Sequence, residues 1–113
     1  MPPIPITFVH VDSGAIRPVG EGDVGDAVAG FLGGDLHSPR ATQEVLDAIA
    51  AVRAGERASW TNTFDENEII IGRDVSQIGF LWAEQFQYVE VETPQLAAAV
   101  RAWQDVMSQA DNT

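Results

Sequence analysis

Cysteine is absent from this chain of 113 residues, and so is lysine. Without cysteine there can be no disulfide, thiolate metal site or cysteine nucleophile. Without lysine, all side-chain positive charge other than histidine rests on six arginines, set against 17 aspartates and glutamates, for a formal net charge of −11. Such a chain is a poor binder of nucleic acid, whose phosphates call for clustered cations, and of anionic membrane surfaces. Long apolar runs are also missing. Nothing approaches the roughly 18 consecutive apolar residues of a membrane span. The opening Met1-Pro-Pro-Ile-Pro-Ile-Thr7 has neither the positive start nor the apolar stretch of a signal peptide. The expectation is a cytoplasmic protein whose natural partner is basic.

The known catalytic and cofactor motifs are missing as well. There is no G-x-S-x-G, Walker-type loop, H-E-x-x-H or dinucleotide fingerprint. Gly20, Gly22 and Gly25 are interleaved with Glu21, Asp23 and Asp26, carboxylates that would repel a phosphate. His10, in an apolar run, reads as a hydrogen-bonded structural histidine, and His37 as a solvated loop residue. Neither has sequence neighbours that complete a nucleophile–base–orienter set. No enzyme activity, cofactor or metal is expected from this inventory.

What is present is a foldable pattern. Hydrophobic residues make up 45% of the chain, enough for one domain over residues 1–113 that hides about two thirds of its unfolded surface. Ile4, Ile6, Phe8, Val9 and Val11 read as an opening strand. Asp12-Ser13-Gly14 supplies a turn, and Ala15 to Val19 return as a second strand, placed at a sheet edge by Pro18. From Asp23, capped by itself or by Gly22, the apolar spacing becomes helical: Val24, Ala27, Val28, Phe31 and Leu32 form one stripe, and Gly33-Gly34 is the expected stop. Ser38-Pro39 starts a second helix, with a hydroxyl at the N-cap and proline where its missing N–H costs nothing. Its stripe is Ala41, Val45, Ala48, Ile49 and Val52, and Gly55 ends it. Four strands follow at 58–64, 68–73, 75–83 and 86–92, with Asp65-Glu66-Asn67 as a polar turn. Ile69-Ile70-Ile71 is too continuous for a strand wetted along one whole face. Thr93-Pro94 opens a last helix with Leu96, Ala99, Val100, Trp103 and Met107 on its apolar side, and residues 109–113 should fray. The order β-β-α-α-β-β-β-β-α predicts an α+β domain, with about three helices on one face of a mainly antiparallel sheet.

Carboxylates offer two kinds of chemistry. Asp65-Glu66-Asn67-Glu68 clusters oxygen ligands in a turn but lacks the spacing and central glycine of a calcium loop. Glu90 and Glu92, two apart on a strand, point to the same side; such a pair serves acid–base chemistry, a cation, or protection of a sheet edge. The alternative is electrostatic recognition. Between Asp65 and Glu92 stand seven carboxylates and one arginine, and a field of one sign steers oppositely charged partners. Trp60, Phe64, Phe80, Trp82, Phe86 and Tyr88 are interleaved with them. Any one of these aromatics reads as core, whereas the segment as a whole equally matches a protein interface with aromatic anchors ringed by charge.

Several features in sequence order carry a family likeness. They are the strand–Asp12-Ser13-Gly14–strand opening and the second helix running into Ala54-Gly55-Glu56-Arg57-Ala58-Ser59-Trp60. The polar turn, the Ile69-Ile70-Ile71 strand and the closing amphipathic helix complete them. This order resembles the small acidic YacL-like proteins and the immunity proteins encoded beside bacterial polymorphic toxins, including those of contact-dependent inhibition systems. Gly-Glu-Arg-x-Ser-Trp is its most particular stretch, and the lysine-rich stretches of some such proteins are missing. The resemblance implies a non-enzymatic inhibitor that binds one cognate toxin domain, a nuclease or other enzyme with a basic cleft. It transfers no catalytic or interface residues.

The leading expectation is therefore an immunity-type protein that neutralises a toxin by binding it. The contact candidates are Asp65, Glu66, Glu68, Trp82, Glu84, Tyr88, Glu90 and Glu92, with Asp23 and Asp26 as a second patch. The alternatives are a small carboxylate-based metal- or ligand-binding protein or enzyme, and a homodimeric accessory subunit that uses the sheet edge.

Overall fold

A computed structural model describes residues 3–11 and 14–111. The expected order of elements is the observed one, in an α+β domain of three helices and six antiparallel strands. Strands β1 (Ile6–His10) and β2 (Ile16–Gly20) form a separate two-stranded sheet. In it Pro18 pairs with Phe8 on a strand that is necessarily an edge. Of the turn assigned between them, Asp12 and Ser13 lie outside the described residues. Helices α1 (Gly22–Asp35) and α2 (Pro39–Arg53) follow. Next come β3 (Trp60–Thr63), β4 (Asn67–Ile71), β5 (Val75–Phe80) and β6 (Tyr88–Glu92), and then helix α3 (Thr93–Asp111). The four later strands pair in chain order, β3-β4-β5-β6.

Helix α2 begins and ends as its sequence dictates. The Ser38 hydroxyl accepts from the Ala41 N–H at 3.1 Å, with proline in the first turn. At the other end Gly55 takes φ 81°. The Gly55 N–H bonds the Val52 carbonyl and the Glu56 N–H that of Ala51, the paired bonds of a Schellman stop.

Helix α1 departs from expectation at both ends. Glu21, not Asp23 or Gly22, occupies the N-cap, and it makes no side-chain capping bond. Gly33-Gly34 does not stop the helix, which runs on to Asp35 with Leu36 at its C-cap. The glycines serve close approach instead. A methyl group on Gly33 would press on the Pro18 ring, and one on Gly34 would collide with the Glu66 carboxylate. The helix can therefore lie tight against both β2 and the turn that precedes β4, a gain that outweighs the weak helix propensity of glycine.

That placement makes α1 the centre of the molecule. Val28, Phe31 and Leu32 are fully buried, and Phe31 meets Phe64 edge-on at 5.4 Å. Ile69, Ile71, Ile78 and Val91 project from the four-stranded sheet into the same core as Val45, Ile49 and Val52 of α2 and Leu96, Val100 and Trp103 of α3. Each such side chain contributes about 1.5–3 kcal/mol by leaving water. Trp103 stacks on Phe8 at 5.6 Å and donates from Nε1 to the Leu36 carbonyl at 2.7 Å, which ties the hairpin, α1 and α3 together. No helix among the described residues is long and apolar enough to cross a membrane.

Candidate functional site

All the buried side chains of the four-stranded sheet lie on one face, where the helices pack. The strand registers assign the other face residue by residue. One row runs Thr63, Glu68, Gly79, Tyr88 across all four strands, and the next runs Thr61, Ile70, Gln77, Glu90. Val75 and Glu92 pair beyond them. Within these rows Thr61, Thr63, Val75, Tyr88 and Glu90 are exposed, and Glu68, Ile70, Gln77 and Glu92 are half-buried. This is the open face of the sheet.

Glu68 sits in the middle of the first row. Its carboxylate accepts from the Thr63 hydroxyl at 3.2 Å on one side and from the Tyr88 phenol on the other. The Tyr88 phenol reaches over Gly79, the one position in the row without a side chain. The space above Gly79 is filled by Phe86, whose ring stands where a Cβ would be and meets Tyr88 edge-on at 4.9 Å. The bond to Glu68 first, then partial burial, then the carboxylate's charge hold the phenol pKa above its ordinary value.

The end of the sheet beside this row is aromatic and exposed. Trp82 is 73% exposed, Phe80 46%, Phe86 44% and Tyr88 38%. For these four the reading of each single aromatic as core is overturned; Trp60 and Phe64, half-buried against the core, keep it. In the β5–β6 connection Phe86 rests on Gly79 and Tyr88 and Gln87 borders α1 across a groove, yet Trp82 and Phe86 stay exposed. Trp82 is nonetheless oriented, since its Nε1 donates to the Asp65 carbonyl at 3.1 Å. Single exposed apolar residues are ordinary, whereas four exposed aromatics gather here around one end of a sheet.

The candidate residues are not all gathered here. Glu68, Tyr88, Glu90 and Glu92 share the open face, and Trp82 and Glu84 are exposed on the connection that borders it. Asp65 is exposed in the turn beneath Trp82. Glu66 is set apart. Its N–H donates to Asp35 at 2.9 Å, its carbonyl accepts from Leu81 and its carboxylate lies over Gly34, so it fastens the turn to α1. Asn67 makes the same attachment, its side chain donating to Asp35 at 2.8 Å. Asp23 and Asp26, a separate patch in sequence, line a shallow groove of about 590 Å³ with Gln87, Tyr88 and Val89. The two patches therefore meet at β6. Among the described residues no arginine is paired with any of these carboxylates.

Sequence reasoning named Phe80 and Phe86 without placing them at the site, and it missed Gly79 altogether. A glycine inside a strand pattern, with aromatics close behind, was the available signal of close approach. The two histidines take no part. His10 is exposed rather than a bonded structural residue, and His37, exposed, bonds the Gly33 carbonyl through Nε2 at 3.1 Å. A cleft of about 340 Å³ lies elsewhere, between β2 and α3, over Ile16, Pro18, Trp103 and Met107. Among the described residues no three histidine, aspartate or glutamate side chains converge as a metal site would need. No family model, curated protein or solved structure matches the chain.

Proposed function

We propose that this protein works by binding a basic protein partner through the open face and aromatic end of its four-stranded sheet. The form of this function that the sequence suggests is a cytoplasmic immunity protein that holds one cognate toxin domain inactive by occupying its basic cleft. The observation that carries the reading is the exposure of Phe80, Trp82, Phe86 and Tyr88 among unpaired carboxylates. Trp and Tyr are the residues most enriched where binding energy concentrates, and burying their rings against a partner is worth most at the centre of a charged rim. The negative field supplies the rate of encounter and rejects acidic partners. A symmetric dimer through this face would set the carboxylates against their own kind.

The test is capture from a lysate of the source organism with the wild-type chain as bait at low and at high salt. A Trp82→Ala bait runs beside it. The reading expects one stoichiometric basic protein, weakened by salt and depleted on the variant. Nothing retained by the wild type, or equal retention by Trp82→Ala, contradicts it.

A further inference from the structure

Strand β6 ends the four-stranded sheet, and its hydrogen-bonding direction can be read from one contact. The Thr93 N–H donates to the Asp74 carbonyl at 2.9 Å, so this is a hydrogen-bonded pair of the antiparallel ladder. Such pairs alternate with non-bonded ones. In the β5–β6 register, Val91 and Val89 therefore turn their N–H and C=O groups to β5, while Glu90 and Tyr88 turn theirs outward. The Leu81 N–H bond to the Glu66 carbonyl sets the same alternation in β4–β5, with Gln77 facing β4 and Ile78 facing β6. Among the described residues nothing bonds the outward groups of Tyr88 and Glu90.

Sheet edges in this state invite another strand. The charges around β6 decide which strand. Asp23 and Asp26 lie along the groove on the α1 side of the edge, and Glu90 and Glu92 lie on the open-face side. A second copy of β6 would bring these carboxylates against their equals, which is destabilising across a ladder. A segment bearing lysine or arginine meets carboxylates on both sides. Beside the edge of β3, where Thr61 and Thr63 face outward, the groove against α2 holds Arg57 together with Glu44 and Asp47, so its charge is mixed and selects a basic strand less strongly.

We infer that an extended, basic segment of the partner adds to β6 as a fifth strand, pairing with the backbone of Tyr88 and Glu90. This rests on the proposed partner-binding function and names its mode: main-chain bonds hold the segment, and the flanking carboxylates select its sequence.

The probe is a capped peptide of alternating lysine and valine, with a glutamate-for-lysine peptide as control. Amide exchange of the full chain is followed by NMR. Peptide binding is expected to slow exchange at Tyr88 and Glu90, and the glutamate peptide to leave both unchanged. Glu90→Pro removes an outward N–H without removing a ladder bond, and proline is tolerated in that position. It should bind the lysine peptide about tenfold more weakly than Glu90→Gln, which loses only the charge. If Glu90→Pro does not fold, the wild-type exchange result decides alone. Peptide binding that shifts Trp82 and Phe86 but leaves both amides unprotected overturns strand addition and leaves partner binding through the face standing. Absence of peptide binding also overturns strand addition, while capture from lysate still decides the wider function independently.

Discussion

The two faces of the four-stranded sheet come from the same twenty residues and have opposite characters. On the covered face Ile69, Ile71, Ile78 and Val91 are at most 3% exposed and packed under helices. The polar groups there are fully spent. Thr93 donates to the Gly72 carbonyl at 2.7 Å and so accepts from the buried Ser76 hydroxyl, also at 2.7 Å. On the open face, by contrast, hydroxyls, carboxylates and a phenol bond one another in water's presence, and the aromatics at its end stay exposed even where Phe86 and Tyr88 touch. Structure explains the first face completely. The second combines exposed aromatics with charge of one sign, the combination on which the proposed recognition role rests.

Neighbouring isoleucines break this comparison most sharply. Ile71 faces the core and Ile70 the open face, so Ile71→Ala should cost about 2–5 kcal/mol in urea unfolding. Ile70→Ala should cost clearly less, because its site opens to solvent and leaves no sealed cavity. Equal losses would mean that the open face is packed after all. Thr93→Val comes next. It strands the buried Ser76 hydroxyl and the Gly72 carbonyl, for an expected loss of about 1–3 kcal/mol, read from the same denaturation curves. A neutral result would show that water reaches the covered side.

The smallest effect belongs to Tyr88, the single tyrosine of the chain, whose phenolate absorbance can be titrated directly. Its pKa is raised in the folded state, chiefly by the bond to Glu68. The bond therefore adds stability below the ordinary phenol value of about 10, and the gain is lost as pH climbs through the folded value. Glu68→Ala should bring the titration midpoint down toward that range. A wild-type midpoint at or below the ordinary value would show that the Thr63–Glu68–Tyr88 row does not persist in solution.

Much of the fold was legible because its signals are local. Ser38-Pro39, Gly55 and the stripes of α1, α2 and α3 act through neighbouring residues, and the element order followed from them. Gly33-Gly34 was misleading for a tertiary reason, since what keeps those glycines in a helix is contact with Pro18 and Glu66 far along the chain. The site was half legible. Alternation places Glu68, Ile70, Tyr88, Glu90 and Glu92 on one side of their strands but cannot say which side the helices take. Phe80 illustrates the limit. It has the same strand parity as the buried Ile78, and only the end of helical cover two residues later leaves it exposed. Likewise, Glu66 and Glu68 look equivalent in sequence, yet one is held against α1 and the other by Tyr88.

The central claim is that the open face and the aromatic end beside it serve recognition and not folding, and Trp82 tests it most directly. Urea unfolding and titration calorimetry against the captured partner should be run on the wild type and on Trp82→Ala. Stability is expected to stay within about 0.5 kcal/mol, since the ring is 73% exposed, while affinity falls by at least about 2 kcal/mol. A variant that unfolds more easily but binds as tightly as the wild type would contradict the account.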